Sequence, residues 1–132
     1  MSVFVDTSAL YALLDRDDLQ HASARKAFPE LAEHEELVTH SYVLVETIAL
    51  AQRRLGPDAV RALTEDLLPI VTTTVWVDET AHAAGVTALL AAFPTDVSLV
   101  DHVSFHVMRE LGITQAFAFD RDFQTAGFRL IP

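Results

Sequence analysis

Short apolar runs that end on a carboxylate alternate along this chain with segments of helical period. That alternation constrains the fold more than any other feature. Val3-Phe4-Val5 is apolar, β-branched and aromatic, as a buried strand requires. Directly after Asp6-Thr7-Ser8 the period turns helical, with Leu10, Leu13 and Leu14 on one face and Asp15-Arg16-Asp17-Asp18 closing the segment. A second helix is expected over His21 to Leu31, with Ala22, Ala27, Phe28 and Leu31 as its apolar side. Glu36 to Thr39 reads as a strand, and Ser41 as the N-cap of a helix reaching Leu55. Gly56-Pro57 marks a stop and a restart, followed by a helix over Asp58 to Leu68 that Pro69 breaks. Ile70 to Val77 reads as a strand, Glu79 to Phe93 as a helix, and Ser98 to Leu111 as another helix with Gly112 as its C′ residue. Gln115 to Phe119 and Phe128 to Ile131 are the last two strands expected. Strands separated by helices predict an α/β fold with a mostly parallel sheet. At 132 residues, one domain spanning 1–132 is expected. In such sheets ligands bind beyond the carboxyl ends of the strands.

Composition removes several function classes. The chain has no cysteine, so it holds no disulfide framework, zinc ribbon, iron–sulfur cluster or thiol nucleophile. No apolar run is long enough to span a bilayer and no signal-peptide pattern opens the chain, so a cytoplasmic protein without membrane contact is expected. Nineteen acidic against nine basic residues give a net charge of −10. A broad basic face for nucleic acid is therefore excluded, and any polyanion must be met by a local basic strip, a bound cation or a partner.

Four acids stand among apolar neighbours where solvation does not account for them. Asp6 ends the first strand and Asp120 ends Ala116-Phe117-Ala118-Phe119. Asp101 follows Val97-Ser98-Leu99-Val100, and Glu46 lies within Tyr42-Val43-Leu44-Val45 and Thr47-Ile48-Ala49-Leu50. Asp6 can cap the helix after it, Ser98-x-x-Asp101 has the form of a capping box, and Asp120 can serve the Asp120-Arg121-Asp122 turn. Glu46 has no such role: it lies past the first turn, and its neighbours at three and four residues are Tyr42, Val43, Ala49 and Leu50, none cationic. A carboxylate on an apolar face needs a partner. A shared divalent cation would be one, and an all-oxygen donor set suits Mg²⁺ or Mn²⁺ better than zinc. Such sites favour attack of water on a phosphodiester.

Four segments resemble, in order, the motifs of PIN-domain nucleases: Val3-Phe4-Val5-Asp6-Thr7-Ser8-Ala9-Leu10, Val43-Leu44-Val45-Glu46-Thr47, Ser98 to Ile113 around Asp101, and Phe117-Ala118-Phe119-Asp120-Arg121-Asp122-Phe123. The likeness spans essentially the whole chain and is greatest to the VapC toxins of type II toxin–antitoxin modules. The resemblance implies a PIN-like three-layer α/β/α sandwich with an acidic pocket at the strand ends. It also implies a Mg²⁺- or Mn²⁺-dependent endoribonuclease, usually a homodimer, neutralised by a VapB-type antitoxin. On that reading Asp6, Glu46, Asp101 and Asp120 are catalytic and hold the metal. Thr7 and Ser8 can orient a carboxylate or water, and Asp122 is a further candidate. Asp96, in the Pro94-Thr95-Asp96 turn, reads as a surface charge.

Two rivals are weaker. His102 and His106 are four apart, but no Glu follows the first, so the His-Glu-x-x-His zinc motif is absent. A phosphatase of the haloacid dehalogenase type needs a second Asp two residues after the first, where this chain has Ser8. A catalytically silent PIN-like binding module is the alternative from another class.

Overall fold

The computed structural model describes all 132 residues. Its centre is a five-stranded parallel sheet in the order β3-β2-β1-β4-β5. The strands are β1 (Ser2–Val5), β2 (Glu36–His40), β3 (Thr73–Val75), β4 (Gln115–Phe117) and β5 (Arg129–Ile131). The helices are α1 (Thr7–Leu14), α2 (His21–His34), α3 (Ser41–Arg54), α4 (Pro57–Arg61), α5 (Glu79–Ala92), α6 (Leu99–Leu111) and α7 (Asp122–Thr125). None of them is long and apolar enough to cross a membrane.

The alternation of side chains along a strand assigns the helices to two faces. Phe4 meets Phe123, which packs edge-on against Phe105 of α6, and Phe4 also lies 5.6 Å from His40. Phe117, paired in register with Val5, stacks on Phe28 of α2. The sheet is thus covered on both sides, by α1 to α4 on one and α5 and α6 on the other, in the three-layer arrangement expected. Its central strand is a run of fully buried residues because neither face meets water.

Several elements differ from the sequence reading. α2 continues through Pro29 to His34, and it buries Ala24 while Ala22 is exposed. His40, not Ser41, caps α3: its ring accepts from Tyr42 N and Val43 N, while Ser41 Oγ accepts instead from Val77 N. The helix expected over 58–68 runs as α4 and then widens into a π-helical stretch over Ala62–Leu67 and a 3₁₀ turn over Leu68–Ile70. Pro69 has no N–H to give to a regular ladder, so the register loosens ahead of it. β3 keeps only three of the residues expected for it, and β4 stops at Phe117. Gly112 does close α6 in the left-handed region, at φ 68°.

Candidate active site

The parallel order reverses direction at β1: β2 and β3 lie to one side, β4 and β5 to the other. Such a switch point opens a crevice beyond the strand ends, and the acids singled out by sequence gather there. Asp6 leaves β1 buried, as the N-cap of α1. Its Oδ2 accepts from Ser8 N at 3.1 Å and from Ser8 Oγ at 2.7 Å. Ser8 Oγ also accepts from Phe119 N at 2.9 Å, so one hydroxyl ties the end of β1 to the segment leaving β4. Capping and membership of the crevice are therefore compatible roles for Asp6. Thr7 is buried, its hydroxyl 3.1 Å from that of Thr47 on α3.

Asp101 enters from the first turn of α6, whose N-cap is Ser98 as expected: Ser98 Oγ accepts from Asp101 N at 3.1 Å. Asp101, Asp120 and Asp122 each present an oxygen within 4.8 Å of the others. Asp120 Oδ1 also accepts from Asp122 N, which organises the turn into α7. Glu46 is half-buried on α3 and stands near enough for its charge to act on Asp101. Asp96 is exposed, as expected of a surface charge.

Electrostatics register the same convergence. Burial, joined by the charges of Asp6, Asp120 and Glu46, raises Asp101 from the usual carboxylate value to about 7. Burial raises Asp6 to about 6, with Asp120 adding to the effect and the Ser8 bonds opposing it. Asp122 is also raised, by burial first and then by Asp120. The structure thus brings Asp6, Glu46, Asp101 and Asp120 into one electrostatic neighbourhood. Asp122, only a candidate from sequence, stands closest with Asp101 and Asp120. This donor set, all carboxylate oxygens and none of them in a salt bridge, fits a hard divalent ion.

One supporting residue escaped the sequence reading. His40 is fully buried, and burial lowers its pKa to about 4. Nδ1 accepts two backbone N–H groups, so Nε2 carries the proton and donates to Ser104 Oγ at 2.7 Å; Ser104 in turn donates to Val100 O. A neutral imidazole thereby locks α3, which carries Glu46, to α6, which carries Asp101. Its only signal in the sequence was a polar ring at a strand-to-helix junction.

A parallel sheet with acids gathered at its switch point defines a class, and the PIN domain family matches residues 3–129. This chain belongs to that family, and within it to the VapC toxins. It is 35% identical over 126 residues to the 23S rRNA-specific endonuclease VapC20 of Mycobacterium tuberculosis, covering 96% of this chain and 95% of the relative. The crystal structure of that protein, described as a Sarcin-Ricin loop cleaving toxin, superposes with a TM-score of 0.85 over 96% of this chain and 95% of its own. FitAcB from Neisseria gonorrhoeae, 13% identical, shares the fold with a TM-score of 0.72 over 100% of this chain and 97% of its own.

Proposed function

We propose that this chain is an endoribonuclease that requires Mg²⁺ or Mn²⁺ and cuts ribosomal RNA of the 23S class. The observation that carries the proposal is the convergence of four carboxylates with no cationic partner at the switch point of the sheet, in a chain 35% identical to a 23S rRNA endonuclease. Asp101, Asp120 and Asp122 would hold the ion, with Asp6 and Glu46 contributing negative charge behind them. Once bound, the ion would supply charge stabilisation for displacement at phosphorus by water.

The remaining work falls to the chain's own residues. Ser8 fixes the Asp6 carboxylate by binding one of its oxygens twice. Ser98 and the first turn of α6 set the direction of Asp101. With no cation bound, Asp101 holds its proton close to neutrality; its carboxylate would have to give up that proton to serve as a ligand. We further infer a cytoplasmic protein that pairs as a homodimer and is held inactive by a VapB-type antitoxin. That antitoxin would direct an arginine at the acidic crevice, since a guanidinium bonds carboxylates bidentately.

The test is cleavage of purified 23S rRNA by the purified chain. Discrete fragments are expected with Mg²⁺ or Mn²⁺, none in EDTA, and a loss on the order of a hundredfold or more in Asp6→Asn. Full cleavage in EDTA would remove the mechanism. Binding without cleavage under all metals would favour the silent-module alternative.

A further inference from the structure

Beside the acidic crevice lies a cleft of about 310 Å³ that shares Asp122 with it. Its walls include Thr95 from the turn before α6, His102, Phe105 and Arg109 along α6, and Asp122 at the start of α7. Asp122 belongs also to the carboxylate triple, so the cleft opens directly onto that group.

Three features of these walls point to a ligand. His102 lines the cleft, and its Nε2 has no hydrogen-bond partner; the atom is closed to solvent, so a ligand meets it only as the ring turns about its side-chain bonds. Such an orphaned polar atom costs about 1–3 kcal/mol unless something satisfies it. Arg109 is a cation without an anion: the ion pairs of the structure join Met1 to Glu35, His34 to Glu33 and Arg61 to Asp58. Its guanidinium is nevertheless held in place, 5.2 Å from the Phe128 ring centre and 6.0 Å from that of Phe105, with Nη2 donating to Ala126 O at 3.1 Å. A guanidinium carries five N–H donors, so about four remain unspent. Finally, Thr95 Oγ1 accepts from Val97 N at 3.0 Å and keeps its own proton to donate.

The charges are graded along α6. Asp101 stands at the acidic end and Arg109 eight residues on, about 12 Å away at 1.5 Å per residue. A phosphodiester strand placed with one phosphate at the carboxylate-held cation would bring a neighbouring nucleotide across His102 and toward Arg109. Unstacked RNA bases are recognised by polar groups meeting the base edge, and a guanidinium suits a phosphate, which it can bond bidentately.

We propose that this cleft is a nucleotide subsite, taking the unstacked base of one residue flanking the scissile phosphodiester, with Arg109 on that residue's phosphate and His102 and Thr95 on the base edge. The proposal deepens the ribonuclease reading and rests on it for the identity of the ligand. It makes Arg109 and His102 determinants of affinity and sequence preference rather than of the chemical step.

The test needs no cleavable RNA. The four nucleoside 5′-monophosphates are titrated, with Mg²⁺ present, into isotope-labelled protein to about 10 mM, where even a millimolar site fills. Saturable shifts are expected at Thr95, His102, the Arg109 side chain and Ala126, with Trp76 unmoved. Arg109→Gln is expected to weaken binding about tenfold, Arg109→Lys to restore part of it, and His102→Phe to erase differences among the four bases. Should Arg109→Gln fail to fold, Thr95→Val and His102→Phe carry the comparison. Absence of saturable shifts at these residues, or equal binding by wild type and variants, overturns the subsite. RNA cleavage without such binding removes the subsite and leaves the nuclease; binding without cleavage of any RNA leaves a nucleotide site on a protein that is not one.

Discussion

Asp6 and Asp101 keep their protons to about pH 6 and about pH 7 because each is desolvated among other carboxylates. Between the ordinary carboxylate range and those values the folded chain binds more protons than the unfolded one. Their contribution to stability is therefore present at low pH and lost as pH rises through about 6 to 7. Asp101→Asn removes the larger share of that loss. In EDTA its Tm is expected to match or exceed the wild type at pH 8, by about 3–8 °C if 1 kcal/mol is recovered, with no gain at pH 4. Mg²⁺ at a hundredfold excess over its Kd is expected to stabilise the wild type by about 2.7 kcal/mol and the variant by less. Thermal melts across pH, with and without metal, read all of this; a variant less stable than wild type at pH 8 would reduce Asp101 to a helix cap. His40 acts with the opposite sign. Its folded pKa lies near 4, below the ordinary 6.5, so the unfolded chain takes up the proton first and stability falls as pH drops from 6.5 toward 4. His40→Leu is expected to cost about 2–4 kcal/mol by leaving two N–H groups and the Ser104 hydroxyl without their partner. It should also flatten the acid limb of the stability curve.

Among the elements, α6 places more of the site than any other, and its seat depends on Gly85 of α5. A Cβ at that position would lie 2.6 Å from Val103 Cγ2, and Val103 is fully buried. Gly85→Ala gains helix propensity, but the gain is outweighed because a short branched side chain in a packed seam has little room to move. A net loss of about 1–2 kcal/mol is expected in denaturant titration. A weaker response to Mg²⁺ should accompany it if the displaced α6 carries Asp101 with it; a stabilised variant would show that the seam can relax. How legible these elements were depended on the length and kind of interaction that forms them. The period change after Asp6 and the Ser98 and Gly112 signals around α6 were readable because capping and amphipathic spacing are local. The end of β4 was not. Phe119 N turns from the ladder to Ser8 Oγ, a partner 111 residues away in sequence. α7, a single turn over Asp122–Thr125, is too short to display a period, so the closeness of Asp122 to Asp101 and Asp120 emerged only in three dimensions. Glu46 was legible because a mid-helix acid without a cationic neighbour has no local explanation.

For the molecule as a whole, a net charge of −10 sets it against its proposed substrate. Few basic residues are available to release counterions from RNA, while long-range repulsion is screened by salt. We expect kcat/KM on 23S rRNA to hold steady or rise as KCl increases from about 20 to 150 mM at fixed Mg²⁺, the reverse of the steep fall typical of basic nucleic-acid binders. Initial rates across a salt series decide it, and a steep fall would reveal a basic contact surface that the chain's charge distribution does not suggest. The carboxylates at the strand ends stand on a sheet whose central strand is fully buried from Val3 to Val5. In β1, Phe4 faces α6 while Val5 faces α2, and Asp6 follows on that alternation. One residue added or removed between Val3 and Asp6 would exchange the two faces of the central strand. Engineered length variation is therefore confined to outer connections such as Asp15 to Gln20. A split or circularly permuted version of this protein should be cut there, with the four residues from Val3 to Asp6 left contiguous.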